Sequence, residues 1–409
     1  AVSMSVSNAF SLIQGPPGTG KTHTIGAIAI QALRNSRGKK VLICGTTNVS
    51  INSLLEIVGD MVQSAGYKVC WPAASARDFQ TEEGLTKEQK LMTLYLSLHK
   101  NSSDGRRFKE LHEKYNQTEK ETIEMKHLRD RLEEEIIRES DVIFSTLDSS
   151  GKKSISQNIG QISTLIVDEA TLSVESSMII PLSLCPDRFV LVGDQQQLGP
   201  QPSFKELDNK GFYCSMFERI IEEKSCLKNS VMLNTQYRMH PDISCFPNNL
   251  FYDNELIDGV RPEERMISTK FIFQKHLNFI NFNHAEEQNG TSYINQEEIK
   301  EVLKCVNSLI ESGVEPSEIG VISAYGAQTH LISESFKMNC LQVKVSTIDS
   351  FQGSQKDYII ICTTRNGNNL GFLNDRRRMN VAMTRARCMV MIFGNAVTLS
   401  KSHYWNSLI

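Results

Sequence analysis

The segment GPPGTGKT, Gly15 to Thr22, restricts the fold more than any other feature of the chain. It fits G-x-x-x-x-G-K-[ST], follows an apolar run from Phe10 to Ile13, and opens a stretch of helical character from His23 to Leu33. Strand, glycine-rich turn and helix in that order make a phosphate-binding loop. Gly15, Gly18 and Gly20 let the backbone turn its N–H groups toward phosphate oxygens, with Pro16, Pro17 and Thr19 completing the loop. Lys21 is placed for the β- and γ-phosphates and Thr22 for Mg²⁺. The start of the helix adds a dipole that favours negative charge.

Apolar runs and helical stretches alternate through the rest of the chain. Short apolar runs recur at 41–44, 141–144, 164–170, 189–194, 319–325, 343–349, 357–364 and 388–395. Most are apolar at consecutive rather than alternate positions, which predicts strands buried on both faces and hence parallel sheets covered by helices. Polar motifs follow the carboxyl ends of these runs, where open α/β sheets bind ligands. The expected fold class is α/β, with a division into residues 1–232 and 233–409.

One segment departs from this pattern. From about Trp71 to Glu139 the composition turns charged and helical. Leu91, Leu94, Tyr95 and Leu98 share one helical face, NSSDG (101–105) reads as a break, and Leu128, Leu132 and Ile136 form a second stripe. Interleaved Lys, Arg and Glu are expected on the solvated side, so the segment reads as a helical hairpin inserted into the first lobe. Guiding nucleic acid is the alternative role.

The chemistry-bearing residues lie at strand ends. In LIVDEA, an apolar strand delivers Asp168 and Glu169 together. Beside a phosphate loop, Asp168 suits Mg²⁺ and Glu169 suits a base that orients water. LNTQYRMHP carries Tyr237 and Arg238, and DRRRMNVAMTRAR carries Arg377, Arg378, Arg385 and Arg387. Arginine at the γ-phosphate stabilises the charge that builds during phosphoryl transfer, whereas Arg376 and Arg387 read as surface groups.

GPPGTGKT, LIVDEA, VGDQQQLGP, QYRMHP, STIDSFQGSQKD and RRRMNVAMTRAR occur in that order. The chain therefore resembles a superfamily 1 helicase of the nonsense-mediated-decay and senataxin-like branch, from Ser11 almost to Ile409. The resemblance implies two RecA-like lobes, an ATP hydrolase that uses ATP and Mg²⁺, and movement 5′ to 3′ along single-stranded RNA or DNA. It implies that Gln197 senses the γ-phosphate, that Tyr237 stacks on adenine and that Arg238 and Arg385 are arginine fingers. Gly353 and Gln355 are implied near the nucleotide. Asn48, Thr146, Ser323 and Thr347 are implied on the phosphodiester backbone, where contacts position a strand without reading its sequence. The segment around 71–139 matches the accessory subdomain of the first lobe in this branch.

Some positions differ from the family pattern. Thr46, Thr47 and Asn48 stand where Pro-Ser-Asn is usual, Leu172 replaces a Gln, Ala324 a Pro, and Gln355 a Glu that faces the nucleotide's sugar. An amide accepts a hydrogen bond without charge assistance, so these changes bear on nucleotide affinity more than on chemistry. The upstream Asn-x-x-Gln clamp and β-barrel of the family are not visible and the chain lacks an initiator Met, so it is expected to be part of a larger protein, with protein regulators acting through upstream regions.

Composition limits the remaining choices. Forty per cent of the 409 residues are hydrophobic and 22% charged, as in globular domains, and no apolar run reaches the ~18 residues of a membrane span. The net charge of −3 argues mildly against a nucleic-acid binder, although a local basic groove suffices. Ten dispersed cysteines without a C-x-x-C pair argue against zinc and for a reducing compartment, nucleus or cytoplasm. A monomer is expected. Two other readings are a P-loop protein switch, which does not need QYRMHP, and a degenerate helicase that clamps nucleic acid or serves as a scaffold with little turnover.

Overall fold

The computed structural model describes residues 1–36, 38–72, 102–114, 118–202, 204–223, 228–367 and 369–409. They divide into two compact units. The first comprises Ala1–Gln14, Lys21–Gly193 and Gly199–Met232, and the second Gly15–Gly20, Asp194–Leu198 and Leu233–Ile409. The expected first lobe of residues 1–232 thus gives up two motif segments to the second unit. Within that unit the Tyr237 N–H donates to the Gly18 carbonyl at 2.8 Å, and the Asn380 amide to the Gln196 carbonyl at 2.9 Å.

Seven strands form the sheet of the first unit: β1 Phe10–Gln14, β2 Lys40–Gly45, β3 Val69–Cys70, β4 Val142–Thr146, β5 Ile162–Val167, β6 Phe189–Gly193 and β7 Ser230–Met232. Their order is β3-β4-β2-β5-β6-β1-β7 and every pairing is parallel. Residues of both parities are buried along β2, β4 and β5, as consecutive apolar runs require. One face packs Leu12, Leu42, Ile143, Leu165 and Leu191 against Ile136, Ile137, Met178 and Phe217.

Two described helices fill the end of the charged segment. The first, Ser103–Glu113, begins where the sequence reads as a break. Its N-cap is Ser102, whose Oγ accepts the Gly105 N–H at 2.9 Å. A glycine costs about 1 kcal/mol inside a helix, but this one lies in the first turn, where its N–H needs an outside partner. The second helix, Glu119–Glu139, opens with a capping box between Thr118 and Glu121. Its stripe is shared between two clusters. Leu128 and Leu132 pack on Phe108 and Leu111, while Ile136 and Ile137 join the sheet core. The face expected from Leu91 to Leu98 lies outside the described residues.

The second unit contains β8 Thr235–Gln236, β9 Ile257–Asp258, β10 Leu277–Asn281, β11 Glu287–Asn289, β12 Ser292–Ile294, β13 Ile319–Ser323, β14 Lys344–Thr347, β15 Lys356–Cys362 and β16 Ala386–Gly394. Its main sheet has the order β10-β16-β15-β13-β14, all parallel. β11 and β12 form an antiparallel hairpin, and β8 and β9 a two-stranded parallel ribbon. Val302, Val306 and Leu309 of the helix Gln296–Glu311 cover Val321, Ile360, Met389 and Met391. Cys44, Cys70, Cys362 and Cys388 are buried strand residues. Among the described residues, no helix is long and apolar enough to cross a membrane.

Candidate active site

In the first unit the polar groups gather at strand ends. Lys21 is the first residue of the helix Lys21–Asn35 and Thr22 the second, with no acidic residue in that first turn. The helix start is thus open to an anion. Asp168 follows β5 directly and is buried. Burial raises its carboxyl above the usual carboxylate range; the Glu169 carboxylate adds to the rise and the Lys21 ammonium opposes it. Lys21 and Asp168 are therefore electrostatic neighbours. The Glu169 N–H donates to Asp168 Oδ1 at 2.9 Å, and Glu169 holds a left-handed backbone with φ 48°. Such strain in a non-glycine residue persists only where the surroundings impose it. A buried carboxylate with this cost and a facing cation suits a divalent ion and phosphate.

In the second unit the phosphate loop meets the QYRMHP segment. Gly18 and Gly20 have φ of 76° and 78°, and the Thr19 hydroxyl closes the turn onto the Pro16 carbonyl at 2.7 Å. A Cβ on Gly18 would stand 2.6 Å from the Arg238 Cβ, so only glycine allows this approach. Arg238 Nε donates to Gln355 Oε1 at 2.7 Å, and its Nη1 to the Thr384 carbonyl at 2.9 Å. Arg385 is buried; its Nη2 donates to Gln197 Oε1 at 3.0 Å and its Nε to the Val381 carbonyl at 2.8 Å. Both expected fingers are thus held by amide and carbonyl oxygens. Gln355, expected at the sugar, presents its amide oxygen to Arg238. Tyr237 is more than half exposed, its ring lying over Gly259. Gly353 has φ of 80°, a turn position suited to glycine.

Two residues that position this loop were not singled out by the sequence. Gln236 is fully buried, and its Oε1 accepts the N–H groups of Arg238 and Met239 at 2.9 and 2.8 Å. Its Nε2 donates to the Met239 carbonyl and to Asp258 Oδ1. Arg265 holds the loop from the other side, donating to the carbonyls of Arg238 at 2.9 Å and Tyr237 at 3.1 Å. Gln236 lies inside a motif and could have been suspected, whereas Arg265 belongs to none.

The residues expected on nucleic acid fall into two groups. Asn48 opens the helix Asn48–Leu54 after β2; its Oδ1 and the Thr46 Oγ1 are buried without hydrogen-bond partners. Such orphaned atoms ask for a ligand or water. Thr146 ends β4 and accepts the Ser149 N–H, and Thr347 ends β14 and caps the next helix through Ser350. Ser323 is different, because its hydroxyl is already engaged within the protein. It is completely buried, its hydroxyl accepting the Tyr325 N–H and pairing with Thr364 Oγ1. The end of β13 needs that hydroxyl for its own turn.

The surface readings of two arginines have specific partners. Arg376 reaches Gln196, and Arg387 pairs with Asp357. His240, Asp242 and His276 bring three ligand-type atoms within 4.8 Å. The two imidazoles are stacked, 3.4 Å apart and 7° from parallel. Their lone pairs lie in separate planes and cannot converge on one ion, so the cluster is a packing contact.

The chain is similar to known proteins along its whole length. Two AAA domain family models match consecutive stretches, one residues 1–71 and 73–201 and the other 212–397. A regulator of nonsense transcripts 1 homolog of Arabidopsis thaliana is 35% identical over 433 residues, covering 100% of this chain and 33% of that protein. The ATP-dependent helicase NAM7 of Saccharomyces cerevisiae is 32% identical, covering 100% of this chain and 42% of the relative. For the ATP-dependent helicase upf1 of Schizosaccharomyces pombe the values are 34%, 99% and 45%. The chain thus spans less than half the length of these relatives. Among solved structures, the PRRSV helicase is similar with a TM-score of 0.45 at 14% identity, over 98% of this chain and 56% of that one. The DNA-bound DUF1998 helicase MrfA gives a TM-score of 0.47 at 9% identity, over 98% and 49%. On the family models and the relatives matched along its whole length, the chain belongs to the superfamily 1 helicases of the nonsense-mediated-decay and senataxin-like branch.

Proposed function

We propose that this chain is the motor core of a larger protein, a nucleic-acid-stimulated ATPase that moves 5′ to 3′ along single-stranded RNA or DNA. The observation that carries this reading is the acidic pair after β5. Asp168 is buried, raised by that burial and by Glu169 with Lys21 acting against the rise, and stands beside Glu169 in a strained backbone. Groups with perturbed pKa values and strain cluster where chemistry is done. Lys21 and the loop Gly15–Gly20 bind the phosphates of ATP. Thr22 and Asp168 would hold Mg²⁺, which neutralises phosphate oxygens when bound. Glu169 orients the attacking water and accepts its proton. Gln197 senses the γ-phosphate, Arg238 and Arg385 stabilise the charge that develops there, and Tyr237 stacks on the base. Gly353 and Gln355 lie near the nucleotide.

The strand is held through its backbone by Asn48, Thr146 and Thr347, small polar groups that end β4 and β14 or open the helix after β2. A monomer working in the nucleus or cytoplasm, with protein regulators acting outside this segment, completes the reading. The test is ATP turnover with and without matched RNA and DNA single strands. Stimulation by a strand supports the motor. Absence of turnover with strand binding intact would favour a clamp, and turnover indifferent to strands would favour a protein switch.

A further inference from the structure

Tyr252 belongs to no motif. It follows the helix Pro241–Phe251 and is 3% exposed. Its hydroxyl donates to Asp194 Oδ2 at 2.7 Å and accepts from Asn380 Nδ2 at 2.7 Å. The same Asp194 oxygen accepts from Gln197 Nε2 at 2.7 Å, and Gln197 Oε1 accepts from Arg385 Nη2 at 3.0 Å. A continuous chain of hydrogen bonds therefore runs from Asn380 through Tyr252, Asp194 and Gln197 to Arg385. Asn380 also donates to the Gln196 carbonyl at 2.9 Å, which ties the middle of GDQQQL to the helix Arg376–Met383.

Two features indicate that this chain of bonds is kept for more than packing. Asn380 Oδ1 is buried without a hydrogen-bond partner. The amide is turned so that its NH₂ serves Tyr252 and Gln196 while its oxygen goes unsatisfied, a costly choice in a buried site. The phenol, for its part, is locked in its neutral form, because burial and the Asp194 charge raise it well above its ordinary range. It is thus a constant donor to Asp194, and the aspartate in turn fixes which way the Gln197 amide faces. With its NH₂ on Asp194, Gln197 must offer its oxygen to Arg385.

We infer that Tyr252 is a positioning residue for ATP hydrolysis, acting through Asp194 and Asn380 to set Gln197 against Arg385. The inference rests on the proposed function, in which Gln197 and Arg385 act at the γ-phosphate. Removing the hydroxyl leaves the ring and its packing in place but takes one donor from Asp194 and the acceptor from Asn380. The Gln197 amide is then held less firmly, and its oxygen is less fixed against Arg385, which keeps its bonds to the Val381 carbonyl and Thr384 Oγ1.

The test is Tyr252→Phe in the full 409-residue chain, assayed for ATP turnover with saturating single strand, for binding of a fluorescent ATP analogue, and for its urea midpoint. The expected result is a fall in kcat of about tenfold, the worth of one well-placed hydrogen bond, with KM and analogue affinity within about twofold, since transition-state contacts are the ones disturbed. A single-turnover cycle with Gln197→Ala gives the second readout: Tyr252→Phe should add little to that variant, because both act through the same amide. Unchanged kcat, a loss confined to KM, or fully additive effects would overturn the positioning role while leaving the proposed function standing. A wild-type chain without ATP turnover would overturn both.

Discussion

Gly259 tests the role of Tyr237 without touching Tyr237. An added Cβ at Gly259 would lie 2.4 Å from Tyr237 Cε1, 2.7 Å from its Cδ1 and 2.9 Å from Thr235 Cγ2. All three distances are shorter than real contacts allow, so something must move. The backbone need not, because Gly259 is not among the positive-φ residues and its N–H bond to the Gln236 carbonyl at 2.8 Å suits alanine equally well. Tyr237 can move, since its side chain is more than half exposed. In Gly259→Ala the ring should therefore swing out and lose its stacking position. Base–aromatic stacking is worth about 1–3 kcal/mol, so the middle of that range predicts roughly thirtyfold weaker nucleotide binding. Titration of a fluorescent ATP analogue measures this directly. Turnover at saturating ATP should stay within about twofold, and the melting temperature should hold, because alanine also restricts the unfolded chain. ATP and GTP analogues should lose affinity equally, as stacking accepts any base. Tyr237→Ala should show a similar loss and the double variant no further one. Unchanged affinity in Gly259→Ala, or a loss that adds to that of Tyr237→Ala, would refute the reasoning.

Three other outcomes are expected. Glu169→Gln should bind ATP normally yet hydrolyse it about 10²–10⁴-fold more slowly, as loss of a general base predicts; turnover near wild type would place the base elsewhere. Arg238→Ala and Arg385→Ala should each lower kcat by about 10³-fold or more while changing nucleotide affinity less, a split that steady-state kinetics and analogue titration resolve. Glu298 is buried, and burial pushes its carboxyl up to about 7 against the opposing pull of hydrogen bonds from Thr364 and Gln328. With the folded value above the unfolded one, its contribution to stability is full below about pH 4.5 and is lost as pH rises to about 7, on the order of 3 kcal/mol across that window. Glu298→Gln should remove that slope, and urea unfolding at pH 5 and pH 8 compares the two proteins.

Features dictated by local chemistry were readable from the order of residues alone. Runs such as Val41–Cys44 are short and apolar at consecutive positions, as strands covered on both faces are, so the parallel sheets were legible. Gly18 and Gly20 with Lys21 announced the phosphate loop because few other arrangements use that spacing. The adjacency of Asp168 and Glu169 needed no fold to be seen. Relations between distant residues came from packing instead. Ser102 and Gly105 read as a break, yet capping makes them a helix start. Ser323 shares the strand-end position of Thr347, but its hydroxyl is consumed inside the turn. The ribbon of β8 and β9 has two residues in each strand, too few to show any period, yet it shapes the loop that carries Tyr237 and Arg238. Gln355 meets Arg238 across 117 positions, and Tyr252 meets Asp194 across 58. Periodicity and motif spacing carry information over a turn of helix or a single strand. A hydrogen bond between residues this far apart in the chain is set by how strands and helices pack, and it leaves no mark in the sequence near either partner.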